Sequence, residues 1–304
     1  MNSRNRFLLW LLGSIVLAGV TACSGSDDQP GKPDDGVKVR RITITQTEDA
    51  TARQMLTRAS LAEGDGILTA SWTAGDGLTY CNLSRVDYGN SEAPYTGPLT
   101  AVSTATTSQF TGDVSCIAGD YLAVVYPAAT FTRNDTYTIS VTGQDGTLAR
   151  LASNYHYVFG KAYVTSVTDA TATATMEKMK SLLTVCKFSF VDKATSAAIP
   201  IQSLTISYGG SGSDAGKYPQ TATVAIGANT AQADVHAAGE NITAPLTITA
   251  SGQTDVYVAL LPTPAQRTFN FTVTNASGTY SGTAKATLVE GEYVVATGLK
   301  LTKQ

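Results

Sequence analysis

Histidine is nearly absent: the 304 residues hold two, His156 and His236. Neither stands in a paired or HExxH-type ligand pattern, so each reads as an ordinary surface or strand histidine. Nucleophile elbows, phosphate loops and dinucleotide-binding fingerprints are missing from any strand–turn–helix context. Gly209–Asp214 is glycine-rich, but it follows a β-alternating run and opens no helix, so it reads as a hairpin loop. The Gly-Asp turns lack the oxygen-ligand spacing of a calcium loop, and nothing nominates a pair of catalytic carboxylates. An enzyme is not expected, nor a cofactor or a metal. Charge is scarce too, at 15% of residues and a net −3. No basic stripe with interleaved aromatics is present, which leaves nucleic acid without support as a partner. The four cysteines, Cys23, Cys81, Cys116 and Cys186, form no CxxC pair. A Cys81–Cys116 bridge and buried free thiols both fit the spacing. Helical periodicity is confined to one short alternative, Ala174–Leu183.

What the chain does have begins with an export pattern. Arg4 and Arg6 precede a nearly continuous apolar run, Phe7–Val20, too short to span a membrane and built like a secretory signal. It ends in Val20-Thr21-Ala22-Cys23, which resembles the bacterial lipobox. That resemblance implies a signal peptide over 1–22, cleaved before Cys23, whose thiol takes a diacylglyceryl group and whose new amine is acylated, typically by palmitate. Each buried methylene contributes roughly 0.8 kcal/mol, so three chains would anchor far more firmly than one. Residues 23–36 have the composition of a flexible lipidated tether. Ser24–Asp28 looks like the segment that sends lipoproteins of the Bacteroides group to the outer face of the outer membrane.

From Val37 onward the sequence alternates as strands do. Val37–Val39 and Ile42–Thr45 come first, then Ile67–Trp72, Leu78–Leu83 and Tyr121–Tyr126, punctuated by Gly-Asp turns. Later, Cys186, Phe188 and Phe190 alternate with Lys187 and Ser189. Leu204, Ile206 and Tyr208 repeat the pattern, and so do Phe269, Phe271 and Val273. Val256–Leu261 is apolar on both faces, as an inner strand would be, and Pro262 ends it. Many short strands with almost no amphipathic helix predict an all-β chain of β-sandwiches. A boundary near residue 180 divides it into units over 37–180 and 181–304.

The same segments resemble the fimbrillin-like proteins of Bacteroides and Porphyromonas, subunits of lipoprotein-derived pili. The resemblance is carried by Leu56–Ser60, Trp72–Gly77, Tyr121–Pro127, Gln144–Leu148, Met179–Phe190, Val256–Pro262 and Glu290–Tyr293, in that order. It implies two tandem transthyretin-like β-sandwich domains and a surface-exposed, lipid-anchored precursor at the outer membrane. It further implies cleavage after an arginine, loss of the first strand, and strand exchange with other pilin subunits in a fimbria that contributes to adhesion. Here the removable strand would be Val37–Thr45, with Arg58 the first processing candidate and Arg53 the second. Arg40 and Arg41 lie inside the strand. Val294–Gln304 is either the last strand of its own domain or a donor. The alternative is a permanently anchored lipoprotein that binds a glycan or a host or bacterial surface ligand, with Tyr155, His156 and Tyr157 as its exposed aromatic candidates.

Overall fold

A computed structural model describes residues 36–46, 60–64, 67–85, 95–132, 136–226, 233–236 and 241–304, with side chains left undescribed at 60 and 233–236. Period-two alternation becomes strand almost everywhere it occurs. The first eleven strands are β1 (Lys38–Gln46), β2 (Ser60–Gly64), β3 (Ile67–Ser71), β4 (Gly77–Asn82), β5 (Thr96–Ala101), β6 (Gln109–Cys116), β7 (Tyr121–Tyr126), β8 (Thr136–Ser140), β9 (Val158–Val167), β10 (Thr171–Met176) and β11 (Lys180–Ser181). Nine more follow: β12 (Thr184–Asp192), β13 (Ile201–Tyr208), β14 (Thr221–Ile226), β15 (Ala233–His236), β16 (Leu246–Gln253), β17 (Asp255–Leu260), β18 (Arg267–Asn275), β19 (Gly278–Ala286) and β20 (Tyr293–Lys303). The chain is all-β, as expected. Ala174–Leu183, the one helical alternative, is not helical: it contains the end of β10 and all of β11.

Among the described residues the single helix is α1 (Leu148–Asn154), which the sequence reading missed. Seven residues are too few to display a 3.6 period. Its start is nonetheless well specified. The Thr147 hydroxyl accepts from the Arg150 N–H at 3.2 Å, while Asp145 accepts from the Thr147 N–H and hydroxyl at 2.9 and 2.7 Å. This is N-capping by side chains that satisfy the helix's orphan donors.

The first sheet runs β10-β1-β6-β5-β4-β7-β9-β11, and β9 also pairs with β10. That extra pairing closes the sheet on itself with β11 left outside, so β1, β6, β5, β4, β7, β9 and β10 form a closed hydrogen-bonded circuit. Its interior holds Ile42, Ile44, Trp72, Leu78, Phe110, Leu122, Val124 and Val164. Trp72 packs edge-on against Phe110 and Tyr126, with centroids 4.9 and 5.5 Å away.

Strands β4, β7 and β9 are buried on both faces along part of their length. Tyr80, Leu122 and Val124 face the circuit's interior, whereas Cys81, Ala123, Val125 and Phe159 belong to the larger core that also contains Phe188, Leu204 and Phe271. A strand buried on both sides needs a continuous apolar run, which explains why Tyr121–Tyr126 does not alternate.

The second sheet has the order β16-β13-β18-β19-β20-β12-β17. It turns a corner between β19 and β20, which share only the pairs Tyr280–Lys303 and Ser281–Thr302. A Cβ on Gly282 would come 2.7 Å from Leu301 Cδ2 and 3.0 Å from the Lys300 carbonyl, so a glycine is needed at this crossing. The fold at the corner brings β12 against β18: Phe188 and Phe190 stand 5.2 and 5.7 Å from Phe271. A smaller sheet, β15-β14-β8, pairs a strand from before residue 180 with two from after it.

One expectation is corrected. Val256–Leu261 is not an inner strand, because β17 closes one side of its sheet. Its second neighbour is the loop before α1. The Gln144 amide donates to the Ala259 carbonyl at 2.9 Å and accepts from the Ala259 N–H at 2.7 Å, and the Tyr257 N–H donates to the Gly146 carbonyl. A side-chain amide and a loop carbonyl thus supply the hydrogen bonds of a missing strand, and the edge is covered.

Candidate functional site

Period-two geometry turns Arg40, Ile42, Ile44 and Gln46 of β1 inward and leaves Lys38, Val39 and Arg41 outside. β1 lies antiparallel to β6 over Lys38–Thr45 and parallel to β10 over Arg41–Gln46. It therefore closes the circuit alone between those two strands. Ile42 and Ile44 are fully buried, against a slot floored by Phe110 and Val114 and lined on the β10 side by the small residues Ala172 and Ala174. Ile42 stands opposite Gly112, where a Cβ would come 2.4 Å from the Pro98 carbonyl of the adjoining strand.

Arg40 sits at the mouth of the slot. Its Nε donates to the Thr168 carbonyl at 2.6 Å, its Nη1 to the carbonyls of Cys116 and Lys38, and its Nη2 to that of Gly36. The guanidinium thereby ties three separate segments together at one end of the circuit. The ion pairs Lys38–Asp169 (3.2 Å) and Arg41–Asp113 (3.5 Å) are exposed. Pairs of that kind add about 0–1 kcal/mol each, so β1 is held by its ladders, its two isoleucines and Arg40.

A second constellation was missed by sequence reasoning. Glu63 on β2 accepts from Lys187 Nζ at 2.8 Å, from the Tyr257 hydroxyl at 2.6 Å and from the Tyr293 hydroxyl at 2.7 Å. Lys187 also pairs with Asp255 at 3.4 Å. The bonds from Lys187, then Tyr257 and Tyr293, pull the Glu63 carboxyl down to about 2 against the opposing effect of burial. The same bond from the other side raises Lys187 above its ordinary value. The only available signal was Lys187, a charge alternating with Cys186 and Phe188.

The other residues singled out by sequence fall into place as follows. Cys23, Arg53 and Arg58 lie outside the described residues, and so does the side chain of His236. His156 is fully buried and Tyr155 is 6% exposed, so Tyr155–Tyr157 does not form the expected exposed aromatic cluster. The segment follows α1 and packs into the core, and the Tyr155 and Tyr157 hydroxyls donate to the carbonyls of Thr142 and Ser140. The exposed aromatic pair is instead Tyr121 and Tyr163, with centroids 5.1 Å apart and Lys161 Nζ 4.3 Å above the Tyr121 ring. They border a shallow cavity of about 280 Å³ lined also by Thr175, Met176 and Glu177.

Cys81, Cys116 and Cys186 are buried and form no disulfide. Cys81 faces the larger core and Cys116 the circuit's interior, so they do not bridge. Burial pushes the Cys186 thiol up to about 12. The Gly-Asp turns hold themselves together: Asp76 accepts from the Thr73 N–H at 2.6 Å, and buried Asp120 accepts from Asn82, Arg85 and the Ile117 N–H. Among the described residues no group of three or more potential ligands could hold a metal ion. β20 lies between β19 and β12, as a strand of its own sheet.

No family model matches the chain, and no curated protein sequence does. Solved structures do. A candidate cell adhesion protein from Bacteroides uniformis is 16% identical over 90% of this chain and 98% of its own, with a TM-score of 0.51. Another, from Bacteroides eggerthii, is 14% identical over 88% of each chain with a TM-score of 0.41. A shaft pilin from Lactobacillus rhamnosus is 11% identical, covering 88% of this chain and 98% of its own, with a TM-score of 0.33. The first of these supports a shared fold.

Proposed function

We propose that this chain is a structural subunit of a cell-surface fimbria, exported as a lipoprotein on Cys23 and assembled by strand exchange. The observation that carries the reading is β1: one N-terminal strand closes the β6–β10 gap and is followed by the arginines Arg53 and Arg58 before β2 begins. A cut there would sever β1 from everything else that holds the fold. The exposed edges of β6 and β10 would then accept a strand from a neighbouring subunit by β-augmentation, with pockets for alternate side chains. The fold shared with a candidate adhesion protein agrees with this reading. The proposal treats 37–180 and 181–304 as two transthyretin-like sandwich domains that meet in the larger core. The surface location, the pilin partners and the role in adhesion belong to the same proposal.

The test is mass analysis of the N-terminus of protein taken from cells. Ala59 as the first residue, with a ladder of multimers on unheated, non-reducing gels, is the expected result. A chain that keeps acylated Cys23 and forms no ladder would sink the polymerising reading. One observation favours a second reading, a fixed lipoprotein that binds a glycan: the exposed Tyr121–Tyr163 pair beside its cavity. Glycan-array binding that disappears in Tyr121→Ala and Tyr163→Ala would select it.

A further inference from the structure

Glu63 lies on the first strand after the proposed processing arginines, and its three donors come from three adjacent strands of the second sheet. Lys187 on β12 stands directly opposite Tyr257 on β17, and Tyr293 on β20 stands opposite Val185, two residues from Lys187. All three therefore occupy the face of β12, β17 and β20 turned away from the Phe188–Phe190 core. Sheet register, not loop placement, fixes their positions, so the cradle is built before any carboxylate enters it. Glu63 Oε2 takes Lys187 and Tyr257, and Oε1 takes Tyr293. Side-chain exposures of 20% for Glu63 and 16% for Lys187 put the pair where water screens it little. Apolar contacts reinforce it: β2 lies beside α1, and Leu61 and Leu148 both pack on the larger core.

We infer that Lys187, Tyr257 and Tyr293 form a carboxylate-recognition site occupied in cis by Glu63, a latch that keeps the β2–β3 hairpin on the second sheet. Its consequence rests on the processing proposed above. A cut at Arg58 breaks the covalent link to β1 and leaves the new chain end, Ala59, four positions from Glu63, and a cut at Arg53 leaves Gln54 nine positions from it. The severed end then stays on the second sheet instead of competing for the gap that β1 leaves between β6 and β10.

Amide hydrogen exchange read by mass spectrometry tests the latch in the intact chain at neutral pH. Hydrogen bonds to a charged group contribute about 1.5–3 kcal/mol, so Glu63→Gln should speed exchange of the β2–β3 amides by about tenfold or more. Amides of β12 and β13 should be unchanged. The Tyr257→Phe, Tyr293→Phe double variant, which keeps the charge pair, should give a smaller acceleration. Unchanged β2–β3 exchange in Glu63→Gln overturns the latch. In wild-type chain cut by an arginine-specific protease, β2–β3 protection should match the intact chain, and faster exchange after the cut overturns the retention of the new end. If the protease does not cut at Arg53 or Arg58, the processing reading fails, and the intact-chain comparison still decides the latch.

Discussion

Arg40 is 6% exposed and faces four main-chain carbonyls instead of a carboxylate. A guanidinium carries five N–H donors in a fixed fork, a shape that can serve several carbonyls at once where a lysine cannot. Its partners at Gly36, Lys38, Cys116 and Thr168 belong to the start of β1, the end of β6 and the turn before β10. Arg40→Met should therefore lose more than a packing contact. Leaving buried acceptors unpaired costs about 1–3 kcal/mol per group, so a loss of about 2–3 kcal/mol in urea denaturation is expected. Arg40→Lys should recover only part of it. A change within about 0.5 kcal/mol, the usual range for surface substitutions, would show that Arg40 does not hold the strand. The same burial makes Arg40 a poor protease site.

At the scale of elements, the β2–β3 hairpin and the β17 edge are each held by one polar side chain with distant partners. Glu63 ionises near 2 in the fold, against an ordinary 4.5. A depressed value means that its contribution is complete above the ordinary value and is lost as pH falls toward 2. The groups facing it are Lys187, Asp255, Tyr257 and Tyr293. The stability difference between wild type and Glu63→Gln should thus be constant above about pH 5, shrink below it, and vanish near pH 2; a difference that is flat over that range would contradict the assignment. For β17, Gln144→Ala should speed exchange of the Ala259 amide without affecting β13. These two devices also mark where reading the sequence stopped. β7, β12, β13 and β18 were legible because alternation or a continuous apolar run is local. The Glu63 bonds join residues 124, 194 and 230 positions apart, and no local pattern reports them. Tyr155–Tyr157 was misread because alternating aromatics look alike on a wet face and on one covered by a second core.

The whole molecule sets where a strand can be lost at least cost to the rest. Around the circuit β1 lies three strands from β4 by way of β6 and β5, and three from β7 by way of β10 and β9. β4, β7 and β9 contribute to the layer shared with the larger core, so β1 and β6, each two strands from it, lie farthest from that layer. Opening the circuit at β1 leaves the shared layer, the second sheet and the Glu63 latch in place. It exposes two long unpaired edges, a strong template for another strand. β1 does not leave freely, because burying Ile42 and Ile44 is worth about 1.5–3 kcal/mol each before the two ladders are counted. Release should therefore require either denaturant or an incoming strand. A cut chain passed through size exclusion in native buffer should keep its β1 fragment by mass, and mild urea should remove it. Exchange should then rise in β6 and β10 while β12, β13 and β18 stay protected. Excess synthetic peptide of Val37–Gln46 should restore that protection and block ladder growth, because it refills the slot with the native ladder and both isoleucines. A peptide with Ile42 and Ile44 changed to Asp should do neither. Ladders that grow unhindered in saturating native peptide would mean that subunits join through some other surface.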